Sequence, residues 1–288
     1  MKILLTINTM MIGGGIERVV CNLANAFAER GHEVSVVSFY QSYAKCPYEL
    51  NEKVKLQFLK GIKSIFIKKP LLLRLYRKIF YRVVVAHLMK KLFKDFDIII
   101  HNCFFYPYFK NPNTKYIKVV HMSFFHPYKA LRWRCFDEVV LLCSKNFLQW
   151  QKYFKNISII PNFIPTIPKE STNHAQKIVL SVGRLTQQKG FSRLIEIWDL
   201  VQKNQAFREW KLHIVGEGGL EQELREQISA KNLNDSIILK PFTKEIEKEY
   251  LSASIYVMTS LYEGFGMVLV ESGSFALPSV AFDVNTGP

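Results

Sequence analysis

Apolar residues along this chain fall into short uninterrupted runs that alternate with longer stretches of helical periodicity. The first run, Lys2 to Ile7, leads into glycines at 13 to 15, and apolar residues then recur at helical spacing from Val20 to Phe27. The helical pattern stops at Gly31. It predicts a strand, a glycine loop and a helix. Apolar strands joined by helices are typical of parallel strands buried on both faces.

The alternation continues along the whole chain in two series. In the first half, further strands are predicted at Val34 to Phe39, Val54 to Leu59, Ile98 to His101, Ile117 to His121, Val139 to Cys143 and Ile157 to Ile160. In the second half, strands are predicted at Ile178 to Val182, Leu212 to Val215, Ile237 to Leu239, Ile255 to Met258 and Ser279 to Phe282. The helices predicted between them are Phe191 to Lys203, Leu220 to Ala230, Lys244 to Ser252 and Phe265 to Phe275.

The two series are separated by residues 161–176, where three prolines and a polar cluster interrupt every periodic pattern. We therefore predict a first domain at 1–160, a linker at 161–176 and a second domain at 177–288. A length of 288 residues agrees with two domains. The predicted fold class is α/β, with two doubly wound domains that face each other across a cleft.

Composition narrows the possible partners. Hydrophobic residues make up 49% of the chain, which is typical of a globular protein with a large core, and the net charge of +15 indicates an anionic partner. No DNA- or RNA-binding signature accompanies this charge, so we expect no nucleic acid. The five cysteines form no CxxC pair, there is no secretory leader, and no apolar stretch approaches the roughly 20 residues of a membrane span. We expect a cytoplasmic protein.

Much of the positive charge lies in residues 60–94, which contain no acidic residue. Its basic residues are Lys60, Lys63, Lys68, Lys69, Arg74, Arg77, Lys78, Arg82, Lys90, Lys91 and Lys94. An ordinary solvated helix face is one interpretation. The interleaved Leu71 to Leu73 and Phe80 favour the other, an amphipathic surface that binds anionic membrane.

The first glycine loop resembles a dinucleotide fingerprint, but the third glycine of that motif, counted from Gly13 and Gly15, falls on Arg18. This argues against a dinucleotide-dependent oxidoreductase. Glycines before a helix still permit close approach of a ligand, and the first helical amides attract an anion. A purely structural turn is the alternative.

A second loop, Gly183 to Gly190, contains Arg184 and Lys189 and follows a predicted strand. The carboxyl edge of a parallel sheet is where such folds bind ligands. Together the two cations can neutralise a departing diphosphate without a metal. The alternative is two solvated surface cations.

The third segment runs from Glu263 to Glu271 through a Gly-Phe-Gly turn. A spacing of eight positions separates the two carboxylates by about two helical turns, or about 12 Å along the axis. That is too far for a glycosidase acid and base, whose carboxyls lie about 5–10 Å apart. We expect them instead to hold opposite ends of one elongated ligand.

These segments, together with Gly31 to Val34, Ile160 to Asn162 and Gly216 to Gly218, resemble the retaining family 4 glycosyltransferases of GT-B fold. The resemblance covers nearly the whole chain. Relatives usually continue beyond the final strand predicted here, so it implies a C-terminally truncated second domain. It implies two Rossmann-like domains, no metal and no cofactor other than the nucleotide-sugar substrate.

The resemblance also implies roles for individual residues. Those expected in catalysis are Glu263, Arg184, Lys189 and His121, of which Arg184 and Lys189 would face the diphosphate and His121 the donor sugar. Glu271 would hold the ribose hydroxyls. The remaining donor-binding residues implied are Gly15, Gly183, Gly216, Gly218, Gly264, Phe265, Gly266 and Met267.

Two groups of residues could be taken for metal sites. His101, Cys103, His121 and His126 have no standard zinc spacing. The Asp95-Phe-Asp97 triplet matches a metal-binding DxD, but it immediately precedes a predicted buried strand, where Asp97 more simply ends a helix. We expect no metal.

The function expected is transfer of a hexose or N-acetylhexosamine from a nucleotide diphosphate, preferably UDP, to a glycan or lipid-linked acceptor with retention of configuration. Surface polysaccharide synthesis, such as lipopolysaccharide or capsule, at the inner face of the cell membrane would suit the basic segment. The alternative is a noncatalytic nucleotide-sugar-binding or scaffold protein.

Overall fold

The structure, a computed structural model, describes residues 1–11, 14–39, 46–58, 86–103, 106–122 and 132–284. The chain forms two compact units, Met1–Pro165 and Thr166–Pro288. The division falls inside the predicted linker. Thr172 packs on the second unit, where its backbone N–H donates to the Phe275 carbonyl at 2.9 Å. Residues 59–85, most of the basic segment, lie outside the described residues, as do Gly13 and His126.

The first unit is built on a seven-stranded sheet in which every strand pair is parallel. Its strands are β1 (Lys2–Ile7), β2 (Glu33–Ser38), β3 (Lys55–Phe58), β4 (Ile98–His101), β5 (Lys115–Val120), β6 (Glu138–Leu141) and β7 (Ile157–Ile159). Their spatial order is β3-β2-β1-β4-β5-β6-β7. The helices are α1 (Gly15–Glu29) and α2 (Phe147–Gln151), with a further helical stretch over residues 86–92.

The second unit repeats this architecture with five parallel strands. They are β8 (Ile178–Val182), β9 (Lys211–Val215), β10 (Ile237–Lys240), β11 (Ile255–Met258) and β12 (Ser279–Ala281), in the order β10-β9-β8-β11-β12. The helices are α3 (Phe191–Gln202), α4 (Glu221–Ala230), α5 (Ile246–Leu251) and α6 (Met267–Ser274).

Helix α3 shows why these elements form where they do. Its buried residues Phe191, Leu194, Ile195 and Trp198 lie at positions i, i+3, i+4 and i+7, which is one face of a helix. That face packs on the buried residues of β8 and β9. Burial of each such side chain stabilises the unit by about 1.5–3 kcal/mol. The carboxyl ends of all five strands are thereby held at one edge.

No helix among the described residues is both long enough and apolar enough to cross a bilayer.

Candidate active site

The carboxyl edge of the second sheet brings together the loops that the sequence singled out. Strand order reverses between β8 and β11, the point at which doubly wound sheets bind ligands. Residues 183–190 follow β8, residues 216–220 follow β9 and residues 259–266 follow β11. The three loops therefore meet at one edge because their strands are neighbours and parallel.

Two glycines let the loops after β8 and β9 cross with their backbones in contact. A Cβ at Gly216 would lie 1.9 Å from the Gly183 carbonyl oxygen, and one at Gly218 would lie 2.5 Å from the Leu185 carbonyl oxygen. The crossing is closed by hydrogen bonds, from Gly183 N–H to Val215 at 3.0 Å and from Leu185 N–H to Glu217 at 2.9 Å. No other residue type fits either position.

Gly190 joins the loop after β8 to the loop after β11. It begins α3 in the left-handed region, with φ of +66°, and a Cβ there would lie 2.1 Å from the Thr259 carbonyl oxygen. The Thr259 hydroxyl donates to the Gly190 carbonyl at 3.1 Å. Across the same junction, Leu261 N–H donates to the Gln188 carbonyl at 2.7 Å.

At this junction Lys189 and Glu263 form a nearly buried ion pair. Lys189 Nζ lies 2.6 Å from Glu263 Oε1, and the two side chains are 20% and 7% exposed. The Ser260 hydroxyl donates to the same oxygen. The aliphatic stem of Lys189 crosses Gly183, where a Cβ would be 3.3 Å from three of its carbons. The glycine therefore sets the path by which the lysine reaches Glu263.

Arg193, which the sequence analysis did not predict as a site residue, donates hydrogen bonds to the loop after β11. Its Nε donates to the Thr259 carbonyl at 2.7 Å and its Nη2 to the Ser260 carbonyl at 2.6 Å. Its guanidinium lies 4.1 Å from the centre of the Phe282 ring. Because Ser260 bonds Glu263, Arg193 positions the carboxylate indirectly. Its signal in the sequence is weak, since a single arginine in the first turn of a helix is commonplace.

Helix α6 separates the two carboxylates differently from what the spacing predicted. The helix begins at Met267 after Gly266, whose φ is +79°, so Glu263 lies in the preceding loop and only Glu271 is helical. The assumption behind the 12 Å estimate was wrong, because helical rise applies only to residues within the helix and Glu263 is outside it. Gly264 and Phe265 lie in the turn between them, and the first-turn amides of α6 begin at Met267.

Glu271 is buried, with 6% of its surface exposed, and accepts a hydrogen bond from the Tyr250 hydroxyl at 3.0 Å. Tyr256 in β11 is fully buried, and its hydroxyl donates to the Val182 carbonyl at 3.3 Å. Burial, and then the negative charges of Glu271 and Glu263, raise the pKa of Tyr256 far above its usual value. The negative charges of Glu271 and Glu263 therefore both act on the Tyr256 phenol.

The carboxyl edge of the first sheet holds the other predicted residues. Gly15 begins α1 and is exposed, and a Cβ there would meet nothing within 4 Å. His121 directly follows β5, and its Nε2 lies 2.7 Å from Asn102 Oδ1. Burial and the nearby Lys118 ammonium lower the pKa of His121 to about 3, so its imidazole is neutral at physiological pH.

Comparison with known protein families identifies this arrangement. The model described as Glycosyltransferase Family 4 matches residues 13–166, and the model described as Glycosyl transferases group 1 matches residues 163–288. The chain belongs to the family 4 glycosyltransferases. It is 30% identical to the amylovoran biosynthesis glycosyltransferase AmsD of Erwinia amylovora, over all of this chain and 82% of that protein. It is 31% identical to an uncharacterized glycosyltransferase of Haemophilus influenzae, over 95% of this chain and 78% of that one.

Solved structures agree on the fold of this glycosyltransferase. The crystal structure of TarM from S. aureus superposes with a TM-score of 0.77 at 18% identity, over the whole chain and 86% of that structure. The lipopolysaccharide outer core galactosyltransferase WaaB gives 0.70 at 19% identity, over the whole chain and 82% of that structure. The fold is GT-B, with two Rossmann-like parallel sheets of seven and five strands.

The structure places the predicted residues of the glycosyltransferase in two groups. Lys189, Glu263 and the glycines at 183, 216 and 218 share the edge of the second sheet. Gly15 and His121 lie in the first unit. Arg184 is exposed, and its guanidinium makes no ion pair or side-chain hydrogen bond with the described residues. The roles of these residues toward a ligand stay predictions.

The DxD triplet lies at the wrong edge for the sites just described. Asp97 precedes β4 at the amino end of the first sheet, and its Oδ2 accepts a hydrogen bond from the Lys2 backbone N–H at 2.7 Å. It therefore has a structural role there. Among the described residues, no three His, Cys, Asp or Glu side chains are grouped to hold a metal.

Proposed function

We propose that this glycosyltransferase moves a hexose or N-acetylhexosamine from a nucleotide diphosphate, with UDP the preferred nucleotide, to a glycan or lipid-linked acceptor. Configuration at the anomeric carbon is retained. The observation that carries the proposal is the Lys189–Glu263 pair, held at 2.6 Å where the loops after β8 and β11 meet. It puts a cation and a carboxylate side by side at the ligand-binding edge of the sheet.

Each group of that pair suits one part of the donor. The Lys189 ammonium, 20% exposed, offers charge to a diphosphate, and the exposed guanidinium of Arg184 supplies a second cation from the same loop. The Glu263 carboxylate accepts hydrogen bonds from sugar hydroxyls. The glycine crossing at Gly183 and Gly216 holds the loop that carries both cations against the loop after β9.

The relatives support a UDP-sugar donor and a cell-surface acceptor. TarM was crystallised with UDP and alpha-GlcNAc-glycerol, and Anabaena HepE with UDP and glucose. A poly(ribitol-phosphate) alpha-N-acetylglucosaminyltransferase of Staphylococcus aureus is 34% identical over 46% of this chain. A Campylobacter jejuni relative, 32% identical over 38% of this chain, acts on a diphospho-undecaprenol glycan. We infer a role in surface polysaccharide synthesis.

Retention without a covalent intermediate fits the residues at this edge. The acceptor hydroxyl attacks the anomeric carbon on the face from which the diphosphate departs, and a phosphate oxygen of that leaving group takes the hydroxyl proton. The bond from sugar to phosphate breaks as the new glycosidic bond forms. Lys189 and Arg184 stabilise the negative charge that develops on the diphosphate.

The test is release of nucleotide diphosphate from a panel of UDP-, GDP- and ADP-sugars, with glycan and lipid-linked acceptors. We expect UDP release, and loss of about 100-fold or more in rate for Glu263→Gln and for Arg184→Met. Arg225→Met is the matched control, since Arg225 is an exposed arginine paired with Glu221 on α4. If the folded protein binds no nucleotide sugar, the proposal is wrong. Binding without turnover would favour a noncatalytic nucleotide-sugar-binding protein.

We also propose that residues 60–94 hold the protein at the anionic inner face of the cell membrane. The support is their sequence, eleven basic residues and no acidic one. Sedimentation with vesicles containing anionic lipid at low salt should recover the protein, and replacing Lys68, Lys69, Arg77 and Lys78 by Gln should release it. Failure of the unaltered protein to sediment would rule out this membrane attachment.

A further inference from the structure

A buried polar cluster at the carboxyl edge of the first sheet determines the protonation state of His121. Its centre is Lys118, which lies between Ile117 and Val119 in strand β5 and is only 6% exposed. A lysine inside a buried strand is unusual, because desolvation opposes its charge. Here burial lowers its pKa to about 8, so at pH 7 the ammonium is still mostly charged.

The Lys118 ammonium is held by the ends of neighbouring segments. It donates to the Cys103 carbonyl at 2.8 Å and to the His101 carbonyl at 3.3 Å. It also lies 5.2 Å from the centre of a Trp133 ring. The lysine therefore fixes the turn after β4, which is the turn that carries Asn102.

Asn102 in turn decides which nitrogen of His121 carries a proton. Its Nδ2 donates to the Ile100 carbonyl at 3.4 Å, and its backbone N–H donates to the Thr6 carbonyl at 2.9 Å, so Oδ1 is the atom that faces His121. A carbonyl oxygen can only accept. At 2.7 Å, His121 Nε2 must therefore be the donor, and Nδ1 keeps its lone pair.

The charge of His121 depends on its burial and on the same cluster. In the part of the chain that the structure describes, the titratable groups near this edge are His101 and Cys103 from the β4 side, and Cys143 and Lys145 in the segment after β6. Burial, and then the Lys118 ammonium, lower the pKa of His101 to about 3, so it too is neutral. Lys118 is the charged group that acts on His121, and it opposes a second positive charge there.

We propose that Asn102 and Lys118 are positioning residues that keep His121 as the neutral, Nε2-protonated tautomer, whose Nδ1 accepts a hydrogen bond from a sugar hydroxyl. This inference rests on the proposed transferase function for its ligand. Its chemical content is that His121 recognises an uncharged hydroxyl donor and does not bind the diphosphate. No described residue donates to Nδ1, which leaves that atom available for a ligand.

The tautomer can be read directly by NMR. In protein labelled with ¹⁵N-histidine, the His121 ring signals are assigned by their loss in His121→Gln. We expect a pattern of protonated Nε2 and bare Nδ1 that stays unchanged from about pH 8 to about pH 5, the range over which unperturbed histidines titrate. The exposed His174 is the internal reference. A protonated Nδ1, or titration of His121 within this range, would overturn the inference.

Asn102→Asp tests the positioning role. A carboxylate facing Nε2 favours the imidazolium, so the His121 signals should now titrate within that range, and the rate of transfer should acquire a matching pH dependence. Asn156→Asp makes the same chemical change at an exposed position before β7, at the opposite edge of the sheet, and should alter neither. If both variants leave the His121 signals unchanged, Asn102 does not position His121.

Lys118→Met provides a second route should Asn102→Asp fail to fold. Removal of the ammonium should raise the pKa of His121 and shift its signals toward the charged form. The NMR experiment and the transfer assay test different proposals, so either can give a negative result without the other. Absence of turnover with the expected tautomer would sink the transferase proposal alone, whereas turnover with a charged His121 would sink this inference alone.

Discussion

The carboxyl edges of the two sheets are built on the same architecture but carry opposite chemistry. At the second sheet, Lys189 and Glu263 form an ion pair 2.6 Å apart, in the unit that also carries the exposed Arg184. At the first sheet, burial and then the Lys118 ammonium lower the pKa of His121 and of His101 to about 3, so both are neutral at pH 7. Parallel strands bring loops to one edge in both cases. What those loops can bind depends on which side chains keep their charge there.

The two edges are also held together in different ways. Loops of the second sheet interlock through backbone contacts that glycines permit, at Gly216, Gly218 and Gly190. The turn after β4 in the first sheet is held by a side chain, since Lys118 donates to two of its carbonyls. At the second edge, we therefore expect stability to change little when an exposed charge is removed and to fall when a methyl group is added at a glycine. At the first edge, we expect stability to depend on pH.

The largest effect should follow loss of the lysine at the second edge. Lys189→Met leaves the buried Glu263 without its cation, which should lower the local free energy of unfolding by about 3–5 kcal/mol. Hydrogen exchange of peptides from β8 and β11 measures this. Part of the loss should be recovered in the double variant Lys189→Met/Glu263→Gln, because the uncompensated charge is gone.

Arg184→Met is the control for that change. It removes an exposed cation from the same loop and should alter stability by no more than about 0.5 kcal/mol. If Lys189→Met and Arg184→Met lowered the free energy of unfolding equally, the Lys189–Glu263 pair would not stabilise this edge more than an exposed cation does.

A somewhat smaller loss is expected for Gly190→Ala. The new Cβ would meet the Thr259 carbonyl oxygen and force alanine to a φ of +66°, so stability should fall by about 2–4 kcal/mol. Denaturant unfolding gives the value. Gly273→Ala is matched to it, because Gly273 is helical with nothing within 4 Å of an added Cβ, and it should gain about 0.5 kcal/mol. Similar changes in stability for the two variants would contradict the close approach of Gly190 to the Thr259 carbonyl.

Arg193→Met should have an intermediate effect of about 2 kcal/mol, since two carbonyls, of Thr259 and Ser260, lose a charged donor. Exchange at residues 259–263 should rise with it. The same substitution at Arg225, whose partner Glu221 is on an exposed helix face, should cost no more than about 0.5 kcal/mol. A loop that is no more mobile in Arg193→Met would argue that the arginine does not support it.

The smallest effect concerns pH and belongs to the first edge. His101 has a pKa lowered to about 3, so below an unfolded pKa of about 6.5 the unfolded chain binds a proton that the folded one refuses. Stability contributed by this group is present above about pH 6.5 and is lost as pH falls. The slope is at most about 1.4 kcal/mol per pH unit for one histidine.

Denaturant unfolding at pH 7 and pH 5 of the unaltered protein and of His101→Asn isolates that contribution. Between pH 7 and pH 5 the variant should lose less stability than the unaltered protein, by up to about 2 kcal/mol, because the slope acts over about 1.5 pH units below pH 6.5. His174→Asn, at an exposed position, should behave as the unaltered protein does. An identical pH dependence for His101→Asn would show that the pKa of His101 is not lowered by folding.

Much of the architecture could be predicted from local pattern. The helical face of α3 and the apolar strands are periodicities that burial then confirmed. Boundaries shifted where the pattern continues past the hydrogen-bonded element, as at α6, where the predicted start at Phe265 moved to Met267. Glu263, which precedes even the predicted start, lies in the loop after β11, because the left-handed Gly266 separates it from the helical backbone.

The residues that support the two sites, Lys118, Asn102 and Arg193, could not be predicted, for a different reason. In the sequence, Lys118 is one lysine inside an apolar run, and Asn102 is an ordinary polar residue beside His101. Arg193 had no distinguishing neighbour. Their importance depends on contacts with residues far along the chain, so no local window contains the signal.

Local pattern was enough to predict the alternation of strands and helices, the glycine loops and the charges within them, because periodicity and glycine act locally on the backbone. The pairing of Lys189 with Glu263, 74 positions away, and the 2.7 Å contact of Asn102 with His121 depend on how the chain folds. Both follow from sheet order, which puts β8 beside β11 and β4 beside β5. Strand order is fixed by packing of the whole unit, so the chemistry of each edge emerges only once the sheet is assembled.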